Sequence, residues 1–151
     1  MPDMAWNAGS RCGCVTELTV AAKVENIEKA TAFVNEYLNR TICTVKARTR
    51  IAIAIDEVIS NIAHYAYPSE DGDVTIQVAL MAEPDTAVIT FIDNGIPYDP
   101  LKTADPDTTL PAEERNFGGL GIYMLKKTMD EITYRYENGS NILTIYKKLR
   151  S

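Results

Sequence analysis

The residues of this chain best suited to chemistry are a carboxylate and a carboxamide, Glu57 and Asn61, in the apolar segment 51–67. A spacing of four residues places two helical side chains on one face. A carboxamide oxygen is a possible Mg²⁺ ligand, and a Glu one turn earlier can hold a metal-bound water or accept the proton of an attacking hydroxyl. Taken alone, the pair is more typical of the solvated face of an amphipathic helix.

Two further motifs lie downstream. Asp93-Asn94-Gly95 follows an apolar run, where a carboxylate can accept a hydrogen bond from an adenine amino group and a glycine permits a sharp turn beside the base. The same residues also form a good turn sequence. Gly118-Gly119-Leu120-Gly121 precedes an amphipathic stretch, and N–H groups at a helix start favour a phosphate. The alternative for this glycine-rich motif is a hinge for the preceding loop.

The three motifs, in this order and spacing, resemble the GHKL ATPase superfamily. Residues 57–64 are similar to its N box, residues 93–97 to its G1 box and residues 117–123 to its G2 box. The compact size and the short loop before the third motif resemble one branch, the anti-sigma-factor serine/threonine kinases of sporulation and stress response. The resemblance extends from about Thr16 to Leu149.

This resemblance implies a role for each matching residue. Glu57 would be the catalytic base, Asn61 the Mg²⁺ ligand, and Asp93 the carboxylate that reads adenine, with Gly95 beside it. The glycine-rich motif would cradle the phosphates of ATP. Arg115, just before that motif, is either a charged donor to the terminal phosphate or a solvated loop charge. The residues expected to contact nucleotide are therefore Asn61, Asp93, Gly95, Arg115, Gly118, Gly119, Leu120 and Gly121.

For the whole protein, the resemblance implies an ATP- and Mg²⁺-dependent kinase. Such kinases phosphorylate a Ser or Thr of an anti-anti-sigma protein and bind a sigma factor as homodimers. A nucleotide-dependent module that sequesters a partner without significant kinase activity is the alternative. Two positions depart from the family pattern: Pro97 stands where a glycine is frequent, and Ser140-Asn141-Ile142 stands where a Thr usually contacts adenine.

Hydrophobic periodicity predicts the elements that must position these residues, in the order β-α-α-β-β-loop-α-β-β. Strands joined by hairpins, with helices apart from them, indicate an α+β two-layer sandwich. The resemblance specifies a mixed, mostly antiparallel sheet with helices on one face. The expected strands are 17–22, 74–81, 87–92, 131–137 and 142–149, and the expected helices are 25–40, 44–65 and 121–129.

Composition narrows the class of protein. The chain has 151 residues, 46% of them hydrophobic, and a formal net charge of −6, which is a poor match to the phosphate backbone of nucleic acid. No apolar run approaches the roughly 20 residues of a membrane span, and the first residues lack a secretory pattern. We therefore expect a cytoplasmic protein with no direct nucleic-acid or membrane contact. Residues 1–14 are expected to be a flexible lead-in, and residues 15–151 the ATP-binding domain.

Overall fold

One antiparallel sheet forms the base of the fold in the computed structural model, which describes residues 11–102 and 119–150. Its strands stand in the order β1-β2-β3-β5-β4. All four pairings are antiparallel, so the sheet that was expected to be mixed is antiparallel throughout its described strands. The strands are β1 (Arg11–Ala21), β2 (Asp73–Met81), β3 (Thr86–Asp93), β4 (Glu131–Glu137) and β5 (Ser140–Lys148).

The helices agree with the predicted ones to within a few residues. They are α1 (Ile27–Leu38), α2 (Val45–Asn61) and α3 (Gly119–Thr128), and a π-helical turn, Ile62–Ala66, continues α2. The α2 helix begins where the Thr44 side chain accepts a hydrogen bond from the Ala47 N–H at 3.0 Å, which satisfies one of the donors left free at a helix start.

A single main core fills the space between the helices and one face of the sheet. Alternate residues of β2 (Val74, Ile76 and Val78) are fully buried there. The predicted apolar stripe of α2 packs against the same core through Ile51, Ile55, Val58 and Ile62. Burying an aliphatic side chain contributes roughly 1.5–3 kcal/mol. The two-layer α+β architecture expected from the sequence is thus confirmed.

Among the element boundaries that differ from those predicted, two have a clear structural cause or consequence. The β1 strand begins at Arg11, so residues 11–14 lie in a strand and not in an irregular segment. Its pairing with β2 shifts register between Cys12 and Thr16, and such an irregularity breaks the alternation that reveals a strand in a sequence. The α3 helix begins at Gly119, two residues early, so the predicted glycine-rich turn is partly the first turn of the helix.

Across residues 11–102 and 119–150, no helix combines the length and apolar character that crossing a membrane requires.

Candidate functional site

A cavity lies between the end of α2 and the sheet, beside the ends of β3 and β5. Its walls are mostly apolar and aromatic, and three polar side chains with amide or carboxylate groups enter it: Asn61, Asp93 and Asn141. A mostly apolar cleft with a few placed polar groups is typical of a small-molecule site. Two of these residues were predicted from the sequence as nucleotide contacts, and the fold brings them to one cavity.

Asp93 ends β3 and is only 5% exposed. Its Oδ1 accepts hydrogen bonds from the Gly95 N–H and from the Asn141 side-chain amide, both at 2.9 Å. Burial raises the pKa of Asp93 above its usual range, and the two donors partly oppose this effect. Because both bonds use Oδ1, the carboxylate keeps an acceptor oxygen with no partner among the described residues.

The backbone at Gly95 lies so close to the backbone of Ala66 that no side chain fits at position 95. A Cβ atom at this position would lie 2.3 Å from the carbonyl oxygen of Ala66, far inside van der Waals contact. That carbonyl accepts a hydrogen bond from the Ile96 N–H at 2.9 Å. The segment after β3 is therefore fastened to the π-helical turn that follows Asn61, and this contact fixes one wall of the cavity.

From the sequence, Asn141 was noted only within the segment where the family usually has an adenine-contacting Thr, and it was not predicted as a site residue. Asn141 lies directly opposite Asp93 in the pairing of β3 with β5. Its amide nitrogen also donates to the Ile96 carbonyl at 2.9 Å, and its oxygen accepts from the Tyr98 N–H and the Tyr134 hydroxyl. One signal was available: β5 alternates toward the core at 141, 143 and 145, so an Asn there is a polar residue at a core-facing position.

Glu57 and Asn61 share one face of α2, as their spacing predicted. The Asn61 amide nitrogen donates to Glu57 Oε2 at 3.1 Å, which leaves the amide oxygen as the group available to a ligand. Partial burial raises the pKa of Glu57, the Asn61 hydrogen bond opposes the shift, and the charge of Asp56 adds to it. The pair thus combines a basic carboxylate with a neutral oxygen ligand.

The start of α3 lies against the Glu57 side chain of this pair. A Cβ atom on Gly121 would lie 2.1 Å from Glu57 Oε1, so the carboxylate lies against the backbone of the first helical turn. The N–H groups of a first turn have no partner within the helix and carry its positive dipole end. Gly119 and Leu120 belong to this turn by their backbone. Gly118 and Arg115 lie outside the described residues, and the phosphate role of the motif remains a prediction.

The donor set fits Mg²⁺ that is held chiefly by a nucleotide. Among the described residues no cluster of three or more His, Cys, Asp or Glu side chains could hold a metal ion. Mg²⁺ commonly takes one or two protein oxygens together with phosphate oxygens and waters. The free amide oxygen of Asn61 suits that arrangement.

Comparisons with known proteins agree with this geometry. A family model described as the histidine kinase-like ATPase domain matches residues 20–147. The chain is 28% identical over 131 residues to the serine-protein kinase RsbW of Bacillus cereus (strain AH187), a match that covers 84% of this chain and 81% of the relative. RsbW of Bacillus mycoides (strain KBAB4) matches at the same identity and coverage.

A crystal structure of RsbU and RsbW domains from Mycobacterium tuberculosis has the same fold, with a TM-score of 0.65 at 17% identity. The match covers 91% of this chain and about a third, 33%, of that longer one. The resemblance stated from the three motifs is therefore confirmed, and this chain belongs to the family of histidine kinase-like ATPase domains.

Proposed function

We propose that this chain is an ATP-dependent serine/threonine protein kinase that phosphorylates an anti-anti-sigma protein and so regulates a sigma factor by partner switching. The similarity to serine-protein kinases supports the reaction class. The proposal includes Mg²⁺ as cofactor, a homodimeric state, a cytoplasmic location and no direct contact with nucleic acid or membrane. Residues 15–151 would form the kinase domain.

One observation carries the kinase assignment: Glu57 is hydrogen-bonded to Asn61 and lies against the backbone of Gly121. These contacts join the Glu57 carboxylate to the Asn61 amide nitrogen and to the start of α3, beside the cavity that Asp93 lines. A carboxylate whose pKa is raised by burial is a better proton acceptor than an exposed one. The arrangement therefore supports proton abstraction next to bound phosphates.

Each residue would have a distinct task in phosphoryl transfer. Asp93 would accept the adenine amino group, and the first turn of α3 would direct its N–H groups at phosphate oxygens. Asn61 would hold Mg²⁺, which neutralises phosphate charge when bound. Glu57 would accept the proton of the partner's Ser or Thr hydroxyl as that oxygen bonds to the γ-phosphorus of ATP, while the bond from that phosphorus to the bridging oxygen breaks and ADP leaves. Positioning and electrostatics supply most of the catalysis in such a reaction.

Incubation with γ-labelled ATP and candidate anti-anti-sigma proteins tests this proposal. We expect label on a Ser or Thr of the partner, and a loss of about 10²–10⁴-fold in transfer rate for Glu57→Ala with nucleotide binding retained. Asp56→Ala removes the adjacent carboxylate, which points about 100° away on the helix, and is the matched control.

Two results would contradict the proposal in different ways. Partner binding that depends on nucleotide but transfers no label would favour the sequestering module. Transfer of label by Glu57→Ala at the wild-type rate would show that Glu57 is not the catalytic base.

A further inference from the structure

The Asn141 side chain makes hydrogen bonds with both ends of its amide. The nitrogen donates to Asp93 Oδ1 and to the Ile96 carbonyl, each at 2.9 Å. The oxygen accepts from the Tyr98 N–H at 3.1 Å and from the Tyr134 hydroxyl. A flipped amide would set its N–H groups against the Tyr98 N–H and its oxygen against the Asp93 carboxylate. The surroundings therefore determine the orientation of this amide.

Few other side chains could make the same connections. Asp at this position has the shape of Asn but no donor, and it would set a second negative charge against Asp93. A hydroxyl side chain has only one hydrogen to donate and could not serve Asp93 and Ile96 together. The residue is 6% exposed, so a donor or acceptor lost here is not readily replaced by bulk water.

We propose that Asn141 is the positioning residue that sets the base specificity of the cavity, because it occupies Asp93 Oδ1 and leaves the other carboxylate oxygen to accept the exocyclic amino group of adenine. This inference rests on the proposed nucleotide function of the cavity. A base with a carbonyl at the same position presents an acceptor to that oxygen and is rejected. Asn141 acts through Asp93 and takes no part in phosphoryl transfer.

The first test needs no nucleotide. In Asn141→Ala, Asp93 loses one donor, so the titration midpoint of the Asp93 carboxyl, followed by carbon-13 NMR, rises above that of the wild type. If Asn141 had a purely structural role, the midpoint would move in the opposite direction, because opening the site would expose Asp93 and lower its midpoint. Ser140→Ala is the matched control, since the Ser140 hydroxyl contacts the Asn94 side chain and not Asp93.

The second test compares ATP with inosine triphosphate, which carries a carbonyl in place of the amino group. We expect the wild type to favour ATP, and Asn141→Ala to lose about 10-fold or more of that preference because a hydrogen bond to a charged group is weakened. Asn141→Asp and Tyr134→Phe are two further variants that allow the test to be made if the alanine variant does not fold. Asp keeps the side-chain shape, and Phe removes only one hydroxyl that holds Asn141, so its effect is smaller and in the same direction.

The two tests separate failure of the inference from failure of the proposed function. A wild type that binds neither nucleotide overturns both. A wild type that prefers ATP, with an unchanged Asp93 midpoint in Asn141→Ala and an unchanged preference in all three variants, overturns the role of Asn141 alone. A lowered midpoint in Asn141→Ala also overturns it.

Discussion

The two ends of the cavity are held by different kinds of contact. At the base end, where the nucleobase is proposed to bind, Asp93 and Asn141 are hydrogen-bonded to each other across β3 and β5. Asn141 also has hydrogen bonds to Ile96 and to Tyr134 on β4. At the catalytic end, one hydrogen bond joins Glu57 to Asn61 within a single helical turn. The base end is therefore held by several hydrogen bonds between strands, whereas the catalytic end is held by one hydrogen bond within α2 and by the contact of Glu57 with Gly121.

Two glycines show the same contrast. A Cβ on Gly95 would collide with the backbone of Ala66, which cannot move without disturbing the π-helical turn. A Cβ on Gly121 would collide with the far end of the Glu57 side chain, which can rotate away. Substitution at the base end should affect the fold, and substitution at the catalytic end should affect the reaction.

Among the substitutions that test this contrast, Gly121→Ala has the largest expected effect, and that effect is on catalysis. The new methyl displaces the Glu57 carboxylate, and a displacement of about 1 Å at a reacting group can cost about 100-fold in rate. Transfer of label to the partner should fall by that order, while the free energy of unfolding stays the same or rises slightly, because Ala favours a helix over Gly. An unchanged transfer rate would show that the position of Glu57 is not critical.

The next effect is on recognition, from Asp93→Asn. The amide oxygen of the new side chain can still accept from Asn141 and Gly95, but its NH₂ group replaces the acceptor that would face adenine. Affinity for ATP, measured by calorimetry, should fall about 10-fold or more through loss of a charge-assisted bond. Unaltered affinity would remove Asp93 from the base site.

The same variant should be more stable than the wild type at pH 7. The folded-state pKa of Asp93 is raised, chiefly by burial, so the wild type loses stability as pH rises from the unfolded pKa through the folded one. Asn does not titrate, and its advantage in urea unfolding should shrink as pH falls through the folded pKa. An advantage that grows toward low pH would contradict the raised pKa.

The last expected effect is on stability and not on the reaction, from Gly95→Ala. The methyl group must push the Ala66 backbone aside, and such overpacking costs about 1–3 kcal/mol in the free energy of unfolding. Denaturant unfolding measures the loss. Gly121→Ala is the matched comparison, and equal losses in the two variants would remove the distinction between the two ends of the cavity.

Local pattern predicted the arrangement of Glu57 and Asn61, and their proposed roles remain predictions. Helical spacing placed Glu57 and Asn61 on one face, and the apolar stripe through Ile51 and Ile55 oriented that face beside the core. Asp93 and Gly95 were found because a strand ending in a turn is visible in the sequence. Gly95 was expected because a glycine permits a sharp turn beside the nucleobase. The structure gives a different reason for a glycine at this position, which is its close contact with the Ala66 backbone.

The partners of Asp93 were not predictable in the same way. Asn141 is 48 residues away, and its place opposite Asp93 depends on which strands pair and in which register. Neither the pairing nor the register appears in a local pattern, because β3 and β5 are neighbours in the sheet although β4 lies between them along the chain. The start of β1 was missed for a related reason, since its register shift hides the alternation.

The sequence by itself determined the elements, the apolar faces and the spacing of the candidate site residues, because hydrophobic period and turn residues act over a few positions. Only the tertiary structure decided that Asn141 orients Asp93 and that Gly121 lies against Glu57. Both contacts join segments distant in the chain: the register of β3 with β5 sets the first, and the packing of α3 against α2 sets the second.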